Sequence, residues 1–236
     1  MKNIFFAFFL TSLFFSVSVF SQTVPINDDF QIWNETSIAF PILKAKDKKG
    51  KEFDRLTFLI NGTLRFGRNA SRPVDERIGF GLSYRFNKYL SFAPDYLYRA
   101  VQPYQGVSQF EHRVRFALTP ENKWKRFSLV NRSQIEFRIR HFQKDSVRYK
   151  NRLRFDYPVK RNEKEVFTPF ASNEIFYDFS VKKLSRDQFF AGIGKSFNSK
   201  FSAEFYYLFV KDRSFPKTVN GFGINFRFKS NLFLFN

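Results

Sequence analysis

Apolar and polar side chains alternate with a period of two along most of this chain. From Arg148 to Tyr157 the even positions are Arg148, Lys150, Arg152, Arg154 and Asp156, while the odd ones include Tyr149, Leu153, Phe155 and Tyr157. Successive side chains of a β-strand point to opposite faces, so this segment predicts a strand with one aromatic face and one charged face. The alternation recurs elsewhere. Leu56, Phe58, Ile60, Leu64 and Phe66 oppose Thr57, Asn61, Thr63 and Arg65; Ile78, Phe80, Leu82, Tyr84 and Phe86 oppose Arg77, Gly79, Gly81, Ser83 and Arg85; Phe222, Ile224, Phe226 and Phe228 oppose Gly221, Gly223, Asn225 and Arg227.

About eleven such segments follow one another: 30–41, 56–67, 77–86, 89–100, 108–118, 127–142, 147–158, 167–179, 188–197, 201–211 and 219–228. Most reach the roughly 9–11 residues that a tilted membrane strand requires, whereas strands of soluble proteins are nearer 5–6. The expected fold is therefore all-β: a single antiparallel, up-and-down transmembrane β-barrel of 10–12 strands. Bacterial single-chain barrels have even strand numbers, so ten or twelve is expected. Pro94 interrupts one segment and points to a bulge or strand end there. Tight turns at Asn87-Lys88 and Asn198-Ser199-Lys200 read as periplasmic. Segments 68–76, 102–106, 143–146, 182–187 and 212–218 then become outer loops.

The composition fits that separation of faces. The 236 residues include 37 phenylalanines and 21% aromatic side chains, yet Lys+Arg number 40 against 21 Asp+Glu. A dry globular core could not hold so many rings interleaved with so many charges, and rings exposed on that scale would aggregate a soluble secreted binder. A net charge of +19 would ordinarily suggest nucleic acid. The N-terminus redirects that reading to an exported protein with no nucleic-acid partner. Lys2, an apolar run over 4–20 and Val19-Phe20-Ser21 form a secretory signal peptide over 1–21. An N-terminal extension over 22–29 and a barrel over 30–236 follow, and the mature chain keeps a charge of +18 once Lys2 is removed. Cysteine is absent, which excludes disulfides, thiolate metal sites and a lipoprotein anchor.

The inward register collects charge on three consecutive segments. Glu111, Arg113 and Arg115 come from the first, Arg132, Gln134, Glu136, Arg138 and Arg140 from the second, and Arg148, Lys150, Arg152, Arg154 and Asp156 from the third; Glu174 joins from the next wall. Nine cations against three anions on those three strands cannot neutralise one another, so a lattice of ion pairs with an anion-attracting surplus is expected in the lumen. Glu136 is expected to pair with arginines of both flanking strands. The alternative function is a lipid-modifying barrel enzyme. Outer-membrane hydrolases of that kind present a Ser–His pair to the bilayer in a His-x-Ser-Asn type of run. His112 and His141 share the apolar register but stand in EHRVR and RHFQKDS, which fits rim or interface positions. No catalytic set, metal site or cofactor motif is recognised; Gly79-x-Gly81, Gly192-x-Gly194 and Gly221-x-Gly223 fall inside strands, where they relieve crowding or allow curvature.

Gln31 to Trp33, Glu111-His-Arg113, Asn131-Arg132 through Glu136-Phe-Arg138, Asn151-Arg152-Leu-Arg154 and Asn173-Glu174 together resemble an uncharacterised domain-of-unknown-function family of small bacterial outer-membrane β-barrels. That family has a tryptophan near its first strand, a Glu-x-Arg strand, an Arg-rich strand pair and a late glutamate strand. Its known properties imply the barrel and supply no activity. The stretch Gly223-Ile-Asn-Phe226-Arg-Phe228 is similar to the terminal signal read by barrel-assembly machinery, but eight residues, Lys229 to Asn236, follow it. The expected setting is the Gram-negative outer membrane, with lipid and lipopolysaccharide outside the wall. The expected role is structural or passive, porin-like transport of anions or small solutes, in an oligomeric state the sequence leaves open.

Overall fold

The structure, a computed structural model, describes residues 27–47, 50–104, 106–141, 143–213 and 216–230; the signal-peptide segment lies outside them. Among the described residues twelve strands occur and no helix. They are β1 (Asp28–Lys46), β2 (Glu52–Gly67), β3 (Arg72–Asn87), β4 (Leu90–Tyr104), β5 (Val107–Lys123), β6 (Ser128–Arg140), β7 (Ser146–Asp156), β8 (Val159–Arg161), β9 (Lys164–Asp178), β10 (Lys183–Ser196), β11 (Phe201–Asp212) and β12 (Thr218–Lys229). Long strands that follow one another pair antiparallel, and β1 pairs with β12 in parallel to close the barrel.

Eleven strands form the wall, because β8 is a short strand paired only with β9, across the left-handed residues Asn162 and Glu163. The expectation of an even number is thereby corrected. The count has a necessary consequence. In an up-and-down barrel with an odd number of strands the first and last run the same way, and β1 pairs with β12 in parallel, Trp33 opposite Gly223. The start of β1 and the end of β12 consequently lie at opposite ends of the barrel. The turns at Asn87-Lys88 and Asn198-Lys200 share the end where β12 finishes. Both are fixed in the same way, with the asparagine side chain accepting from the backbone N–H two residues on, Tyr89 at 2.7 Å and Lys200 at 2.8 Å.

Following paired residues once round the wall, from Leu43 through Leu56, Tyr84, Phe92, Leu118, Ser133, Asn151, Ile175, Asp187, Lys211 and Thr218, returns to β1 at Asp28, fifteen residues before the start. A stagger of this size tilts the strands by about 45°. At roughly 3.3 Å per residue, a strand so tilted needs about 13 residues to rise the 30 Å of a bilayer core. The wall strands run from 11 to 19 residues. Several therefore extend past the segments read from the pattern. The strand β3 begins at Arg72, so most of the expected outer loop 68–76 is wall. Pro94 lies within β4 opposite Phe116, with no bulge toward β5; the β3–β4 ladder passes from Gly81–Asp95 to Tyr84–Phe92 and leaves Pro94 outside it. In that unchanged register the ladder skips two positions, Leu82–Pro94 and Ser83–Ala93, where the proline has no N–H to give.

The two faces separate as the alternation predicts. Thirty-three large apolar side chains among the described residues are exposed, including Ile78, Phe80, Leu82, Phe116, Ile135, Phe137, Ile139, Phe155 and Phe222. Water would not tolerate that many, and lipid does. Aromatic residues gather near both rims. Trp124 stacks on Phe127 at 4.6 Å near one end, and Phe110 stacks on His141 at 4.2 Å near the other. Such belts match the two membrane–water interfaces.

A charged lumen wall facing an aromatic one

The carboxylates of the lumen each bridge cations from neighbouring strands. Asp75 on β3 accepts from Arg77 and from Arg99 of β4, the latter at 2.8 and 3.0 Å, and lies 3.6 Å from Arg65 of β2. Arg99 donates onward to Glu111 of β5 at 2.9 Å. Glu111 also accepts from Arg113 and, at 2.9 and 3.0 Å, from Arg138 of β6. Glu136, fully buried on β6, accepts from Arg113 at 3.2 Å and from Arg148 of β7 at 2.6 and 3.1 Å, with Lys150 at 3.5 Å. One ion-pair network thus runs from β2 to β7. The register makes it: inward residues face one another across each antiparallel pair, Arg115 opposite Glu136 and Glu136 opposite Arg148, and arginine side chains also reach diagonal neighbours.

A second cluster crosses the lumen. Arg154 of β7 donates to Glu204 of β11 at 2.9 and 3.3 Å, although β9 and β10 lie between these strands. Asp156 accepts from Arg154 at 2.8 Å, and Arg227 of β12 lies 3.1 Å from Glu204. On the other side the wall is apolar. Trp33, Phe170, Phe190, Tyr206, Leu208, Val210 and Val219, from β1 and β9 to β12, form a buried hydrophobic cluster inside the barrel. Gly223 belongs to this packing, since a Cβ there would meet the Tyr206 ring at 2.1 Å. Trp33 donates through Nε1 to Gln31 at 2.7 Å, and Gln31 donates to Asp29 at 2.7 Å. Asp29 in turn accepts from the backbone N–H of Asn69 at 2.9 Å and ties the ring to the β2–β3 turn.

The boundary between these walls is built from arginines stacked on rings. Arg65 lies 3.4 Å from the Trp33 ring centre, Arg154 3.9 Å from Phe170, Arg148 4.9 Å from Phe176 and Arg152 5.1 Å from Phe190. Each contact contributes about 0.5–2 kcal/mol and helps the lumen hold more cations than carboxylates.

Of the ten residues proposed from sequence, Glu111, Arg113, Glu136 and Arg138 form the centre of the network, and Arg115 pairs with Asp95 of β4. Arg154 belongs to the separate cross-lumen cluster. Arg140 lies at the rim, where it donates to Gln143 at 2.8 Å and to the Lys144 carbonyl. Arg132, Arg152 and Glu174 stand side by side in register without a direct ion pair. Beside the expected Arg/Glu-lined part of the lumen stands an aromatic wall that the sequence reading did not mark. Alternation misses this wall because β11 reads Phe205-Tyr-Tyr-Leu-Phe-Val210, apolar on both faces. Asp75, Arg99, Asp178, Glu204 and the Arg186–Asp212 pair were not among the ten.

Between the two walls lies a cavity of about 1120 Å³. Among the described residues fifteen arginines and lysines and seven aspartates and glutamates line it, so its potential is positive. The histidines are elsewhere. The Nδ1 of His112 shares a 2.5 Å hydrogen bond with the Tyr96 hydroxyl on the outer face, and His141 is the rim residue stacked on Phe110. Among the described residues no group of histidines and carboxylates converges as metal ligands.

Two solved structures share the overall likeness. An anion-selective porin from Comamonas acidovorans aligns with a TM-score of 0.38 and 13% identity over 76% of this chain; the chain spans only 58% of the porin's length. LpxR from Salmonella typhimurium aligns with a TM-score of 0.42 and 10% identity, over 77% of this chain and 84% of that one. No curated protein matches the sequence. The pattern of the protein family of unknown function DUF2490 matches residues 30–219, which covers nearly the whole wall, and the chain belongs to that family.

Proposed function

We propose that the protein is an outer-membrane barrel whose lumen binds and passes small anions. The observation that carries this reading is the surplus of cations along the cavity, fifteen against seven, most of them anchored on rigid strands. A fixed positive potential in a confined, partly desolvated space concentrates anions and repels cations. Eleven strands close a narrow barrel, and its long arginines and rings occupy much of the bore, so slow passage is expected in place of large porin-like conductance. Lipid and lipopolysaccharide would contact the apolar outer belt, and β12 would be the strand presented to the assembly machinery. The alternative of a lipid-modifying enzyme needs a serine beside a lipid-facing histidine. The Tyr96 hydroxyl occupies that place at His112.

The test is planar-bilayer conductance of the refolded protein across a potassium chloride gradient. A reversal potential on the chloride side supports the reading, and one on the potassium side, or no conductance together with no anion binding, removes it.

A further inference from the structure

Arg132 and Arg152 are direct cross-strand partners on β6 and β7, two like charges set opposite each other. Such a pair is destabilising unless something neutralises it. Arg115 of β5 and Lys150 of β7 are already engaged, by Asp95 and Glu136. The acidic register partner of Arg152 is Glu174, and no ion pair joins it to either arginine. Two positive charges with one acid beside them leave a single positive charge. The Nε atom of Arg152 is buried without a hydrogen-bond partner. Two positions along β6 from Arg132, Gln134 is 2% exposed, lines the cavity, and has a side-chain Nε2 without an acceptor. Donors held on two adjacent strands, with a buried and unsatisfied nitrogen on each, mark a place built to receive an acceptor.

The site also has an apolar side. The Arg152 guanidinium lies 5.1 Å from the centre of the Phe190 ring. Phe190 packs edge-on against Tyr206 at 5.6 Å and lies 6.1 Å from Trp33, and all three line the cavity. A ligand whose charge sits on the arginines therefore has its remaining atoms beside rings. Chloride would satisfy the donors and leave this surface unused.

Resting on the reading of the lumen as an anion site, we propose that it selects a small organic monoanion with a planar apolar body, of the aromatic carboxylate class. The carboxylate accepts from Arg132, Arg152 and Gln134, and the ring lies along Phe190 and Tyr206. A monoanion matches the single uncompensated charge, and a ring prefers the offset or edge-on contacts that an aromatic wall offers.

The experiment is isothermal titration calorimetry of the refolded protein in a neutral detergent with benzoate, acetate, benzyl alcohol and benzylammonium. Benzoate is expected to bind at least tenfold more tightly than acetate, which lacks the ring, and than benzyl alcohol, which lacks the charge; benzylammonium is not expected to bind. Arg152→Gln should weaken benzoate at least tenfold. Phe190→Leu should weaken benzoate while leaving acetate unchanged, and it keeps the test open should Arg152→Gln fail to fold. Lys125→Gln, an exposed change on the β5–β6 turn, should alter nothing. Equal affinity for benzoate and acetate, or benzoate affinity indifferent to Arg152→Gln and Phe190→Leu, overturns the proposal. A chloride-side reversal potential in the bilayer would still stand in that case, so the two readings fail separately.

Discussion

Glu136 and Arg148 face each other across the β6–β7 pair, and the guanidinium donates two hydrogen bonds, at 2.6 and 3.1 Å, to one carboxylate oxygen. The second oxygen serves Arg113 and Lys150 from either side. Glu136→Gln would leave these three cations facing one another without their shared counter-charge, around a side chain that has no exposed surface. Breaking a buried ion network from one side costs on the order of 3–5 kcal/mol. Urea unfolding of the refolded variant should show a loss of that order, whereas Glu35→Gln, at an exposed position, should stay within about 0.5 kcal/mol of the parent.

The outer belt predicts a cost of another kind. Leu82 is exposed on the lipid face of β3. Leu82→Arg should destabilise by about 2–4 kcal/mol if it lies near the bilayer midplane and by less toward the interfaces. The matched inward change is Asn61→Ser, on a lumen-lining residue of β2, which should be nearly neutral. Gly81 would be a poor comparison, because a Cβ there would meet the Asp95 Cβ at 2.4 Å. Folding titrations into vesicles decide between the faces.

The period-two pattern carried the wall, the faces and the central network, because cross-strand neighbours in an up-and-down barrel are also close in sequence order. Glu111, Arg113, Glu136 and Arg148 could be placed together for that reason alone. Arg154–Glu204 could not, since that contact spans the bore and depends on how far around the wall two strands lie. The alternation was silent at Tyr206, Leu208 and Val210, where both faces of β11 are apolar. Asp75 was hidden in a stretch, Arg72-Pro-Val-Asp75, whose proline and charges read as a loop. The odd strand count is visible in the eleven segments themselves, against which stands only the usual evenness of such barrels.

Ion selectivity should respond to the unneutralised pair. Arg152→Glu replaces one of two facing cations with an anion beside Glu174 and changes the local charge by two. The chloride-side reversal potential should shrink markedly or change sign, since charged rings in narrow lumens set selectivity. Arg85→Glu, an exposed change on β3 well along the strand from Arg77, should leave it nearly unchanged. An unaltered reversal potential in Arg152→Glu would show that permeating ions do not pass this pair.

Closure itself hangs on a close approach in the parallel seam. Gly221 of β12 pairs with Gln31 of β1, and a Cβ added to it would lie 1.8 Å from the Gln31 carbonyl oxygen. That oxygen is backbone, so no rotamer change relieves the clash, and the two strands must separate. An open seam exposes unpaired N–H and C=O groups of both edges to lipid, where no water can satisfy them. Gly221→Ala is therefore expected to weaken barrel closure. Gly62→Ala supplies the control, because a Cβ at Gly62 meets nothing within 4 Å. In unboiled gels the Gly62 variant should keep the shifted migration of a closed barrel. The Gly221 variant should lose that shift at lower temperature and become sensitive to protease. Equal behaviour of the two would mean that β1 and β12 are held by contacts elsewhere along their twelve paired positions.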